Sequence, residues 1–131
     1  MSGRVTSFFG VAFLCNVVWE NLHYVLYVHY KGSLITEFVL LHASFVDMLY
    51  LGFTLVVLRF LKIQNVLLWA VPIWIIFAIG IEWWALETGR WAYASTMPII
   101  PIIRTGLSPT VQLAVTGMLA YRLAFGTKSG I

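Results

Sequence analysis

The chain has 131 residues, 61% of them hydrophobic and 10% charged, with a mean hydropathy of +0.92. Soluble domains carry about 25% charged residues, so this composition excludes an ordinary soluble globule, and the length leaves no room for a separate soluble domain. The net charge of +3 is spread over single Lys and Arg residues without a run or stripe, which excludes a nucleic-acid-binding surface. The expected fold class is all-α: residues 1–131 form one integral membrane domain, a bundle of four transmembrane helices.

A helical span needs roughly 20 mostly apolar residues. The first candidate, 7–27, carries Glu20 and His23 and is followed by no small-residue cleavage pattern, so it is expected to be a retained span rather than a cleaved signal. It also holds Cys15, the single cysteine, which rules out an internal disulfide. The second span is 37–58. A polar turn with Arg59, Lys62, Gln64 and Asn65 follows, and Asn65 is placed to N-cap the third span, 66–86, in which Pro72 lies early enough to be tolerated. The fourth is 109–125, with Ser108 and Pro109 as N-cap and first helical position. Between the last two, 87–107 is expected to be an interfacial or re-entrant segment. Its Pro98 and Pro101 disfavour a continuous helix, and Trp83, Trp84, Trp91 and Tyr93 suit an aromatic belt at headgroup depth.

Four spans put both termini on the side of the 59–65 turn, with Arg4, Arg59, Lys62, Arg122 and Lys128. Lys31, Arg90 and Arg104 lie opposite. The excess of cations places both termini in the cytoplasm.

Within this frame the polar residues fall at one depth. Glu20, Asn21 and His23 lie past the midpoint of the first span. His42 and Asp47 lie in the outer part and middle of the second, Glu82 near the outer end of the third, and Gln112 in the first turn of the fourth. Ionisable groups inside a bilayer are costly and are usually kept for a role. Asn16, Glu20, His23, Tyr27 and Tyr30 follow helical spacing and form one stripe. Glu37, Ser44, Asp47 and Thr54 share a face, whereas His42 is about 140° from Asp47 and does not aim at the same centre. Ile75, Ala78, Glu82, Ala85 and Gly89 share a third face. If the third helix continues, Glu87 and Arg90 form an interfacial ion pair.

Three chemistries compete for this cluster. Glu-x-x-His at 20–23 is half of the motif of carboxylate-bridged metal sites in bundles, but one motif and a misdirected His42 do not complete a metal cage, so no metal site is assigned and no cofactor is indicated. Acids close together in a dry environment can act as general acid and base. Glu20, His23, Asp47 and Glu82 are therefore the candidate catalytic set, with Asn21, His42, Arg90, Trp91, Tyr93 and Gln112 as ligand contacts. The alternative is a polar network that only fixes helix register. Arg90 and Arg104 are candidates for lipid headgroups or an anionic substrate.

Glu82-Trp83, Gly89-Arg90-Trp91-Ala92-Tyr93, Met97-Pro98, Gly106-Leu107-Ser108-Pro109 and Gln112, with Trp19-Glu20, His42 and Asp47, resemble a group of small multi-pass bacterial membrane proteins. The resemblance is most specific over 82–112. It implies a bacterial inner-membrane location and adds no reaction. His23 departs from it, standing where such proteins often hold a glutamine, which further weakens the metal reading. The functional expectations are an enzyme working by acid/base chemistry on a lipid or isoprenoid-like substrate, a small-solute or proton transport module formed by a homo-oligomer, or a structural assembly partner in the lipid bilayer.

Overall fold

The computed structural model describes residues 2–126, so Lys128 of the charge count lies outside the described residues. The protein is mostly helical. α1 spans Gly3–His23, α2 Glu37–Phe60, α3 Val66–Glu87 and α4 Leu107–Phe125; two short strands, β1 (Tyr27–Tyr30) and β2 (Trp91–Tyr93), pair antiparallel. α1 with the 3-10 turn that extends it to Leu26, α2 and α3 are each long and apolar enough to cross a membrane. α4 is 19 residues long and carries buried Thr110, Gln112 and Thr116. These polar positions lower its apolar character, and two of them, Gln112 and Thr116, bond side chains of other helices.

α1 packs on α2 and α4, and α3 packs mainly on α4, with only light contact to α2. Close approach depends on two glycines. Gly117 of α4 accommodates the fully buried Trp74 ring of α3, and Gly52 of α2 accommodates Phe9 of α1; a Cβ at either position would overlap the ring. Phe8, Leu51, Leu55 and Trp74 form the centre of the apolar core. This core occupies the end of the bundle near the 61–65 turn, leaving the other end to the polar residues.

Local structure departs from the expected boundaries in instructive places. α1 stops at His23, so Tyr27 and Tyr30 project from β1 rather than from a continued helical stripe. The stretch Tyr-Val-His-Tyr is rich in β-branched and aromatic residues, which favour a strand once a partner is available, and β2 supplies it through Tyr27–Tyr93, His29–Ala92 and Tyr30–Trp91. α3 ends at Glu87 because Gly89 adopts φ +73°, a left-handed conformation natural to glycine. The turn removes the expected Glu87–Arg90 ion pair; among the described residues, the Glu20 carboxyl instead bonds the His23 ring at 3.0 Å. Asn65 is the N-cap of α3, but its backbone is left-handed and its side chain makes no capping bond. α4 begins at Leu107 with Gly106 as N-cap, two residues before the expected start. Ser108 is therefore not a cap, and its hydroxyl is free to serve the site. Residues 87–107 form a turn, β2 and further turns closed by an Ile99–Gly106 bridge. Trp83 and Trp84 are half exposed, whereas pairing of the strands turns Trp91 and Tyr93 inward.

Candidate functional site

Toward the strand end of the bundle, polar groups of α1, α2 and α4 meet in a shared layer, and Glu82 of α3 lines the same cavity. The hub is Gln112 in the second turn of α4. Its Nε2 lies 3.0 Å from Asn16 Oδ1 and 3.0 Å from Glu20 Oε1, both on α1, and 3.1 Å from Asp47 Oδ2 on α2. An amide nitrogen has two hydrogens, so three acceptors share two donors. Two oxygens that each lie about 3 Å from one nitrogen are at most about 6 Å apart, so the Glu20 and Asp47 carboxyls are close neighbours. Asn16 is fully buried; its Nδ2 donates to Ala12 O at 2.8 Å, and its Oδ1 also accepts from Thr116 at 3.4 Å.

A second chain of bonds starts from Glu20. Its Oε2 lies 3.0 Å from His23 Nε2, and His23 Nδ1 lies 2.8 Å from Ser108 Oγ, which accepts from Trp19 Nε1 at 3.0 Å. With the ring proton on Nε2, donation runs in one direction from Trp19 to Ser108, to His23, to Glu20, and every polar atom along the route has a partner. Helical i, i+3 spacing brings Glu20 and His23 together. The early start of α4 brings Ser108 to the ring.

Glu82, 5% exposed, forms a third group. Its Oε1 accepts from Tyr93 Oη at 2.5 Å and from Tyr27 Oη at 3.2 Å. Tyr93 Oη in turn accepts from the backbone N–H of Gly106 at 2.9 Å, tying β2 to the start of α4. Burial, reinforced by the Glu82 carboxylate, pushes the Tyr27 hydroxyl well above its ordinary value, and the same two causes raise Tyr93. Both phenols therefore stay protonated and remain donors to Glu82.

These groups adjoin a cavity of about 590 Å³ lined by Glu20, His23, Asp47, Glu82 and Gln112 together with apolar and aromatic side chains of α2, α3 and β1. Tyr50 of α2 stacks on Phe77 of α3, ring centres 3.5 Å apart, near the middle of both helices. Beyond that stack the two helices face each other across the cavity, which is lined by Phe38 to Asp47 on one side and Phe77 to Trp84 on the other. Phe38, Val46 and Trp84 are exposed there, so the cavity opens sideways between α2 and α3.

The four candidate catalytic residues thus meet at one cavity, joined by Gln112 and Tyr93 from the candidate contact set. Trp91 and Arg90 also line it. His42 is on its exposed wall and joins no part of the network, in keeping with its angle from Asp47. Asn21 is a correction: it is exposed, donates to Val17 O and Glu37 Oε1, and does not line the cavity, because it lies one residue round the helix from the Glu20 face. Arg104 is exposed and likewise outside the cavity. Ser108 and Trp19 were not among the sequence candidates for the site. The available signal was their polar hydrogen-bonding groups at the same depth, and it was masked by the expectation that Ser108 caps α4. Among the described residues, no three His, Cys, Asp or Glu side chains are grouped to hold a metal ion. No family model, curated protein or solved structure matches the chain.

Proposed function

We propose that the chain is a multi-pass protein of a bacterial inner membrane, with α4 as a fourth span and both ends in the cytoplasm, and that it performs acid/base chemistry on a lipid or isoprenoid-like substrate. The observation that carries this reading is the cavity itself: its walls are apolar and open sideways between two membrane-length helices, and its floor presents Glu20, His23, Asp47 and Glu82. Proton transfer to an apolar substrate needs little beyond positioned acids in a space that excludes water. In this scheme one carboxyl delivers a proton and a second group accepts one, with the Trp19–Ser108–His23–Glu20 chain holding the imidazole in a fixed tautomer.

The test is a comparison of membrane lipids by mass spectrometry in wild type, a deletion strain and strains carrying Glu20→Gln or Glu82→Gln. A precursor that accumulates in the deletion and in both variants supports the reading. Lipid profiles that are unchanged in all three reject it.

One observation favours a structural role instead: a single amide, Gln112, joins α1, α2 and α4. On that reading Asp47→Asn lowers stability in detergent, and any variant that retains wild-type stability shows no cellular defect. A stable variant with a defect argues for chemistry.

A further inference from the structure

The cavity has opposite charge character at its two ends. Its floor carries carboxyls. Further along β1, Lys31 and Arg90 line the same cavity at the level of Tyr30, to whose hydroxyl Arg90 donates, whereas Tyr27 is at the level of Glu82. These two cations are held together by the backbone: Lys31 N–H donates to Arg90 O at 2.5 Å, in register with the Tyr30–Trp91 pair of the strands. Neither is neutralised, since among the described residues no carboxylate forms an ion pair with Lys31 or Arg90. Arg90 lies over the Trp84 ring, 4.8 Å to its centre, and donates to Tyr30 Oη at 3.4 Å; Lys31 lies over the Tyr30 ring at 5.4 Å. Aromatic faces and a phenol orient a cation without cancelling its charge. Two cations that both contact Tyr30, without a carboxylate partner and lining a largely apolar cavity, have the chemistry that recognises an anion.

We propose that the ligand is an amphiphile with an anionic, phosphate-type head group, seated against Arg90 and Lys31, whose chain enters through the gap between α2 and α3. The strand sets the scale. Tyr30 marks the cation level and Tyr27, bonded to Glu82, marks the carboxyl level; three residues of strand separate them by about 10 Å. The chain atoms that reach the acids are therefore about 10 Å from the head group. Cations and carboxyls lie at different levels, so attraction of the head group to Arg90 and Lys31 sets the direction in which the molecule lies. This proposal deepens the reading of the cavity as a lipid-substrate site and rests on it.

The experiment measures binding by native mass spectrometry of the full chain in detergent micelles, with dodecyl phosphate, dodecanol and inorganic phosphate as separate probes. Dodecyl phosphate binds saturably, and the other two bind at least about tenfold more weakly, because each lacks one half of the recognised molecule. Arg90→Gln and Lys31→Gln each weaken dodecyl phosphate by about tenfold, the scale of one charge-assisted bond. Arg104→Gln, an exposed cation outside the cavity, leaves binding unchanged. Val46→Trp, at an exposed position in the gap, weakens dodecyl phosphate and leaves the response to inorganic phosphate unaltered. The proposal is overturned if dodecanol or inorganic phosphate binds as well as dodecyl phosphate, if wild type binds none of them, or if Arg104→Gln matches Arg90→Gln. Binding is read here without any reaction, and the lipid profile reads the reaction, so failure of the acid/base chemistry is distinguishable from failure of this site.

Discussion

Replacing Gln112 by Met keeps the length and volume of the side chain and removes both amide hydrogens. Three acceptors on two other helices then lose their common donor: Asn16 keeps Thr116, Glu20 keeps His23, and Asp47 Oδ2 loses the bond that links it to α4. Interhelical hydrogen bonds between membrane helices contribute about 0.6 kcal/mol on average and up to about 1.7. Two hydrogens therefore give an expected loss of about 1–3 kcal/mol. The assay is reversible unfolding in mixed detergent micelles, followed by circular dichroism, for wild type, Gln112→Met, Asp47→Ala and the double variant. Removing the donor alone leaves the partly buried Asp47 carboxyl without it, so the double variant should be less destabilised than the sum of the singles by about 0.5–2 kcal/mol. If Gln112→Met unfolds within about 0.3 kcal/mol of wild type and the cycle is additive, which is the behaviour of uncoupled sites, Gln112 does not hold the helices and the network reasoning fails.

Two further outcomes are expected from the same measurement. Gly117→Ala drives a methyl into the Trp74 ring, and Gly52→Ala does the same to Phe9, so each should destabilise by about 1–3 kcal/mol; Gly80→Ala meets open space and should not destabilise, and equal stability of all three variants would refute the close packing of α3 on α4 and of α2 on α1. Tyr93→Phe loses the bonds to Glu82 and Gly106 and should cost about 1–3 kcal/mol at neutral pH. The folded-state value of Tyr93 is raised, so the native protein holds the phenol proton more tightly than the unfolded chain does. Its contribution is full below about pH 10, the unfolded value, and is lost as pH rises above it. Stability measured from pH 8 to 11 should fall less steeply in Tyr93→Phe than in wild type; equal slopes would show that the phenol proton is not linked to folding.

Much of the site was legible in the sequence because depth follows from position along a span. Glu20, Asp47, Glu82 and Gln112 lie on four separate helices, and alternating direction alone predicts that they share a level. The i, i+3 spacing of Glu20 and His23 predicted their contact, and the angular offset of His42 predicted its exclusion from the network. Boundaries were less legible. Tyr27 and Tyr30 fit a helical stripe as well as a strand, and the choice depended on β2, about 60 residues away in sequence, arriving as a hydrogen-bonding partner. Trp91 and Tyr93 suited both an aromatic belt and the contact set, and the same docking brings them to the cavity and to Glu82. Ser108 was read from its local pattern as a cap, and only the contact with His23 and Trp19 shows what its hydroxyl does.

Composition, hydropathy and the spacing of charges by themselves determined a helical protein with membrane-length segments and a polar layer at one depth, since burying charge in an apolar run is costly wherever the chain goes. Which donors satisfy that layer, where the cavity opens and how Lys31 comes to lie beside Arg90 were decided only by tertiary structure. Those features depend on the azimuth at which four helices meet and on a strand pairing between distant segments, and neither is encoded by any local run of residues.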